Sequence, residues 1–100
     1  MERRIYDIEP VTINGLSIGK VIIDPHYEVK HGDDIDDDLI LDLVRKLDGR
    51  SEMPETVDEN YSYFVTLIEL EQRQYRLIWL LESGAIYVGV VNAYRDDRKE

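Results

Sequence analysis

The chain has no cysteine, which excludes disulfides, thiolate catalysis and cysteine-ligated zinc. That fits a reducing compartment, and a cytoplasmic protein is the expectation. Histidine is nearly as scarce, with His26 and His31 the only two. Five residues apart on a helix, they would stand ~140° apart around its axis, a poor arrangement for sharing zinc or iron. No segment approaches the ~20 apolar residues that span a bilayer, and Met1-Glu2-Arg3-Arg4 opens no apolar run of signal length. Neither a cofactor nor a membrane is expected. Internal repeats and low-complexity tracts are also missing. One hundred residues suffice for a single domain with its own hydrophobic core.

Positive charge is the minority sign. Twelve Lys and Arg oppose twenty-two Asp and Glu, for a net charge of -10. Residues 33–60 hold eleven acids against Arg45, Lys46 and Arg50, a balance of -8, while residues 1–32 and 61–100 are each near -1. The negative field therefore belongs to the middle third, where it opposes long-range steering of a polyanion.

Hydrophobic patterning divides the chain into sheet and helix. Asn14-Gly15 between alternating apolar residues predicts a type I′ hairpin, with a bulge at Gly19 and a buried strand at Val21-Ile22-Ile23. Asp24 as cap, Pro25 at the first helical position and Gly32 at the exit predict a short helix. Ile35, Leu39, Ile40, Leu43, Val44 and Leu47 form one helical stripe, capped by Asp34 and ended by Gly49. Residues 50–60 read as a loop. Three strands follow, Tyr61 to Leu70, Tyr75 to Glu82 and Ala85 to Tyr94, and the terminal Asp96-Asp97-Arg98-Lys99-Glu100 is expected to fray. The predicted fold is α+β: an N-terminal β-hairpin, two helices, then a three-stranded antiparallel meander forming one sheet.

The last two strands carry the main functional signal. A Ser83-Gly84 tight turn would set Leu81 against Ile86, Trp79 against Val88 and Arg76 against Val91. Leu77, Trp79, Leu81, Ile86, Val88 and Val90 then share one face, and Arg76 and Arg95 share the other at the end away from the turn. Such an arginine pair can clamp a phosphate, or each can pair with an acid such as Glu69 or Asp96. His26 and Lys30 lie one helical turn apart, and Tyr27 pairs likewise with His31. Histidine ordinarily titrates near neutrality and lysine can hold a phosphate, so His26, Lys30 and His31 are candidate acid–base groups. Asp33, Asp34, Asp36, Asp37 and Asp38 lack the glycine and glutamate spacing of a calcium loop, and helix capping accounts for them.

Tyr75-Arg76-Leu77-Ile78-Trp79, a turn, Ile86-Tyr87-Val88 and Tyr94-Arg95 resemble the closing strands of the RelE/BrnT-type toxin superfamily. Lys30-His31-Gly32 before an acidic helix start is similar to the step preceding the second helix of BrnT-like proteins. The resemblance implies a metal-independent endoribonuclease of a toxin–antitoxin system, with RNA and a small antitoxin as partners. By position, Lys30 and His31 would supply proton transfer or phosphate contact. Arg76 and Arg95 would bind the scissile phosphate, and Tyr94 would stack on or orient a base. The alternative is a non-catalytic acidic module, of inhibitor, immunity or nucleic-acid-mimic type, that docks a basic protein. Two apolar sheet faces also lead to the expectation of a homo-oligomer. The nuclease reading requires cations from separate segments to meet around one pocket without each being neutralised by its own carboxylate.

Overall fold

Asn14 and Gly15 take positive φ angles of 52° and 79°, the geometry of a type I′ turn. They fold β1 (Arg4–Ile13) antiparallel onto β2 (Leu16–Ile23), as the sequence predicts. The computed structural model describes residues 2–97. The hairpin register shifts between Asp7 and Val11, opposite Gly19. The irregular residues thus belong to β1, and Gly19 faces them with little room, its would-be Cβ 3.4 Å from the Ile8 carbonyl.

A single-turn 3-10 segment, Pro25–Tyr27, runs into α1 (Glu28–His31), with Asp24 accepting from the His26 amide. The longer helix, α2 (Asp37–Arg45), is capped by Asp36, whose carboxylate accepts from the Leu39 amide at 2.8 Å. The cap is two residues later than the Asp34 expected from sequence. Gly49 ends the region at φ 83°. Then come β3 (Thr56–Asp58), β4 (Tyr61–Leu70), β5 (Arg73–Glu82) and β6 (Val88–Arg95).

The expected division into a hairpin, two helices and a separate three-stranded meander is overturned. All six strands form one mixed sheet in the order β1-β2-β6-β5-β4-β3. Two causes account for the difference. Val21–Ile23 is apolar on both faces, so it is satisfied only as an interior strand, and it pairs in parallel with Val88–Val90. Thr56–Asp58, expected as loop, pairs with Tyr61–Tyr63. The helical part is correspondingly small, nine residues in α2 and four in α1.

One sheet face carries Val21, Ile23, Phe64, Ile68, Leu77, Trp79, Val88 and Val90, all buried together with Ile40, Leu43, Val44 and Leu47 from the α2 region. That is the core, and its helical stripe is the predicted one. The segment after α2 straps across the mouth of this face. Gly49 donates to the Thr12 carbonyl at 2.7 Å and Asn14 to the Arg50 carbonyl at 2.9 Å. Farther along, the Glu52 carboxylate accepts from Thr66 at 2.8 Å, while Thr66 accepts from the buried Trp79 indole at 3.0 Å. The other sheet face bears half-buried Ile22, Tyr63, Val65, Ile78, Leu80 and Val91. None of these is in the buried core cluster.

The β5–β6 register differs from the tight-turn expectation. The connection runs from Ser83 to Tyr87, so Leu81 faces Val88 and Trp79 faces Val90. The slip of two residues preserves the faces and leaves Ile86 outside, 67% exposed. A further shift falls between Ile78 and Trp79, where Ile78 faces Asn92 and Val91 is the extra residue. Beyond that bulge every β6 side chain changes face. Arg98, Lys99 and Glu100, expected to fray, lie outside the described residues, whereas Asp96 is buried and its amide bonds the Gln74 carbonyl at 2.8 Å.

Candidate functional site

The bulge decides where the two arginines point. Arg76 faces Tyr94 across the ladder, and Arg95 faces Tyr75. The expectation that Arg76 and Arg95 share a face is therefore corrected, because one inserted residue reverses the alternation. Both still lie at the same end of the sheet. There the His31 ring stacks on Tyr94, with centroids 5.2 Å apart and planes 26° from parallel. His31, Tyr94, Arg76 and Arg95 thus gather at one corner, between α1 and the paired ends of β5 and β6. His26 and Lys30 are exposed. Neither side chain makes a hydrogen bond or ion pair among the described residues.

The corner cations are occupied. Arg76 donates from Nε at 2.9 Å and from Nη2 at 2.7 Å to Asp96 Oδ2. Arg95 bonds Asp97 Oδ2 at 2.7 Å and lies 3.7 Å from Asp34 Oδ1. Hydrogen bonding to Asp96 raises the Arg76 pKa, and hydrogen bonding to Asp97 does the same for Arg95. In return, Arg95 lowers the Asp97 pKa. A phosphate entering the corner must displace these carboxylates. Asp96 was legible as an alternative partner for an arginine. Asp34 was not, because its expected role as the α2 cap concealed its role beside Arg95.

A second polar centre, absent from the sequence reading, surrounds Asp37. Arg4 donates to it through Nε and Nη2, and the phenols of Tyr6 and Tyr27 donate as well. The Arg4 hydrogen bonds lead in holding the Asp37 pKa down at about 2, helped by both phenols and opposed by burial. Burial, then the bond to Asp37, raises the Tyr27 pKa. Arg4 Nη2 also donates to the Glu28 carboxylate at 3.1 Å, so the cluster ties β1, the 3-10 segment, α1 and α2 together.

A third feature opens on the face outside the core. A cleft of about 310 Å³ has Leu80, Gly89 and Val91 among its floor and wall residues, with Tyr61, Tyr63 and Tyr87 around it. Gly89 keeps it open, since a Cβ there would lie 2.8 Å from Leu80 Cδ1. Burial, then the Glu82 carboxylate 2.6 Å from its hydroxyl, pushes the Tyr87 pKa up to about 12. The alternating Tyr61-Ser62-Tyr63 pattern was the available sequence signal for this aromatic face.

No family model, curated protein or solved structure matches the chain. Among the described residues, no group of three or more His, Cys, Asp or Glu is placed to hold a metal ion. None of the helices there is long and apolar enough to cross a membrane.

Proposed function

We propose that this chain is a non-catalytic acidic module whose uncovered sheet face receives a basic partner protein. The uncovered face carries the reading. It presents half-buried aliphatic and tyrosine side chains beside exposed Ile5, Tyr61 and Leu67, and an apolar patch of this kind marks a contact surface. A net charge of -10 selects the partner, because two copies would repel while a basic surface is attracted. The arginines give less support to phosphate chemistry, since each already holds a carboxylate.

One observation favours the other reading, a RelE/BrnT-like endoribonuclease. His31 stacks on Tyr94, and Tyr94 in turn faces Arg76. A proton-transfer group, an aromatic platform and a cation in sequence are groups that an RNA-cleaving site can use. It also needs Asp96 and Asp97 to give way.

Incubation with single-stranded RNA in chelator, alongside NMR titration with a synthetic peptide of alternating valine and lysine, separates the two. The module reading expects intact RNA and peptide-induced shifts at Tyr63, Leu80 or Val91, lost in Leu80→Lys. Cleavage that disappears in both Arg76→Ala and His31→Ala would instead establish the nuclease.

A further inference from the structure

The two edges of the sheet, β1 on one side and the short β3 with the uncovered length of β4 on the other, are treated very differently. β1 is guarded by Glu9 and Pro10, by the register shift between Asp7 and Val11, and by backbone bonds from Gly49 to Thr12 and from Asn14 to Arg50. Those are devices that keep a strand edge from pairing with another chain. β4 has none of them along most of its length. Its sequence, Tyr61 to Leu70, contains neither proline nor lysine, and it pairs with β5 at ten consecutive positions without a shift. On its outer side, β3 covers only Tyr61 to Tyr63.

The direction of the bare groups follows from one bond. Glu55 donates its amide to the Tyr63 carbonyl at 2.8 Å, from the outer side. Backbone groups alternate along an antiparallel strand, so the N–H and C=O of Val65, Leu67 and Glu69 point outward too. Among the described residues these groups have no backbone partner. Leu67 is 43% exposed beside them.

We propose that the outer edge of β4 from Val65 to Glu69 accepts an extended basic segment of the partner protein as a seventh strand. This rests on the acidic-module reading and specifies how the partner enters. Strand addition supplies main-chain hydrogen bonds for affinity and alternating side-chain contacts for choice. Here one side of the added strand meets Val65 and Leu67, and the other meets Thr66 and Glu52. Glu55 and Glu69 flank the bare stretch, with Glu71 beyond. The fitting segment therefore alternates apolar and basic residues. A second copy of this chain fits poorly, because it would bring the same acids and a further net charge of -10.

Amide hydrogen exchange by NMR, with the alternating valine–lysine peptide as probe, tests the edge directly. Binding is expected to slow exchange at Val65, Leu67 and Glu69. Leu67→Lys should weaken it by roughly tenfold, with an unchanged melting temperature showing that the variant is folded. Val29→Lys, at a 64% exposed position on α1 and outside the uncovered sheet face, should leave binding intact. Shifts confined to Tyr63, Leu80 and Val91, with the three edge amides unprotected, would overturn the edge proposal and leave the module reading standing. Protection that grows with protein concentration alone would hand the edge to a second copy. Absence of any peptide binding overturns both.

Discussion

Asp37 shows how much can rest on one carboxylate. Arg4, Tyr6 and Tyr27 all donate to it, and its pKa falls from 3.8 to about 2. A carboxyl with a depressed folded-state pKa stabilises the protein above its unfolded value and loses that contribution as pH falls through the folded one. Acid titration of stability should therefore show a loss of about 2 kcal/mol between roughly pH 4 and pH 2. Asp37→Asn should flatten that limb, as read from urea midpoints at each pH. Thr66 is the corresponding buried hydroxyl, 4% exposed, accepting from Trp79 and donating to Glu52. Thr66→Val keeps the shape but strands the indole N–H, a cost of about 1–3 kcal/mol. Denaturant unfolding should show a lower midpoint at constant slope. Both positions lay hidden in the sequence, because an acid in a run of acids and a threonine in an apolar strand have no local signature of their partners.

Elements were legible where their chemistry is local. Asn14-Gly15 specifies its own turn, and the stripe from Ile35 to Leu47 specifies its own helix. The β4–β5 turn is the informative contrast. Glu71 and Gln72 take φ angles of 52° and 68°, a conformation that costs an L-residue about 1–2 kcal/mol. Here the long pairing of β4 with β5 imposes the turn, against the preference of the residues within it. Replacing the pair by Asn-Gly should raise stability by about 1 kcal/mol, measured as a rise in the thermal midpoint. The parallel pairing of Val21–Ile23 with Val88–Val90 was not legible, since it joins opposite ends of the chain through no local signal. The Val91 bulge escaped for a related reason. The run Val88 to Val91 lacks the polar alternation that would reveal where phase is lost, so the faces of Arg76 and Arg95 could not be fixed in advance.

At the scale of the whole molecule, the charge distribution was plain in the sequence, while the pairing of the corner cations needed three dimensions. Arg95 finds one of its acids, Asp34, in the turn between α1 and α2, a proximity no spacing rule supplies. The remaining field is strongly negative, and it acts with opposite sign on folding and on recognition. Within the free chain, like charges oppose compaction, so added salt screens a destabilising term. Between this chain and a basic partner, the same screening removes an attraction and slows encounter. Thermal midpoints measured across a salt series should therefore rise, while association rates with the valine–lysine peptide fall over the same range. A nucleic acid held by local phosphate contacts would also bind more weakly in salt, so the salt dependence of affinity alone does not identify the partner. Neutralising acids separates the cases. Asp58→Asn with Glu59→Gln, both exposed near the β4 edge, should slow capture of the basic peptide, whereas removal of two negative charges would speed the approach of RNA. Faster peptide association in that variant would remove the electrostatic basis for a basic partner.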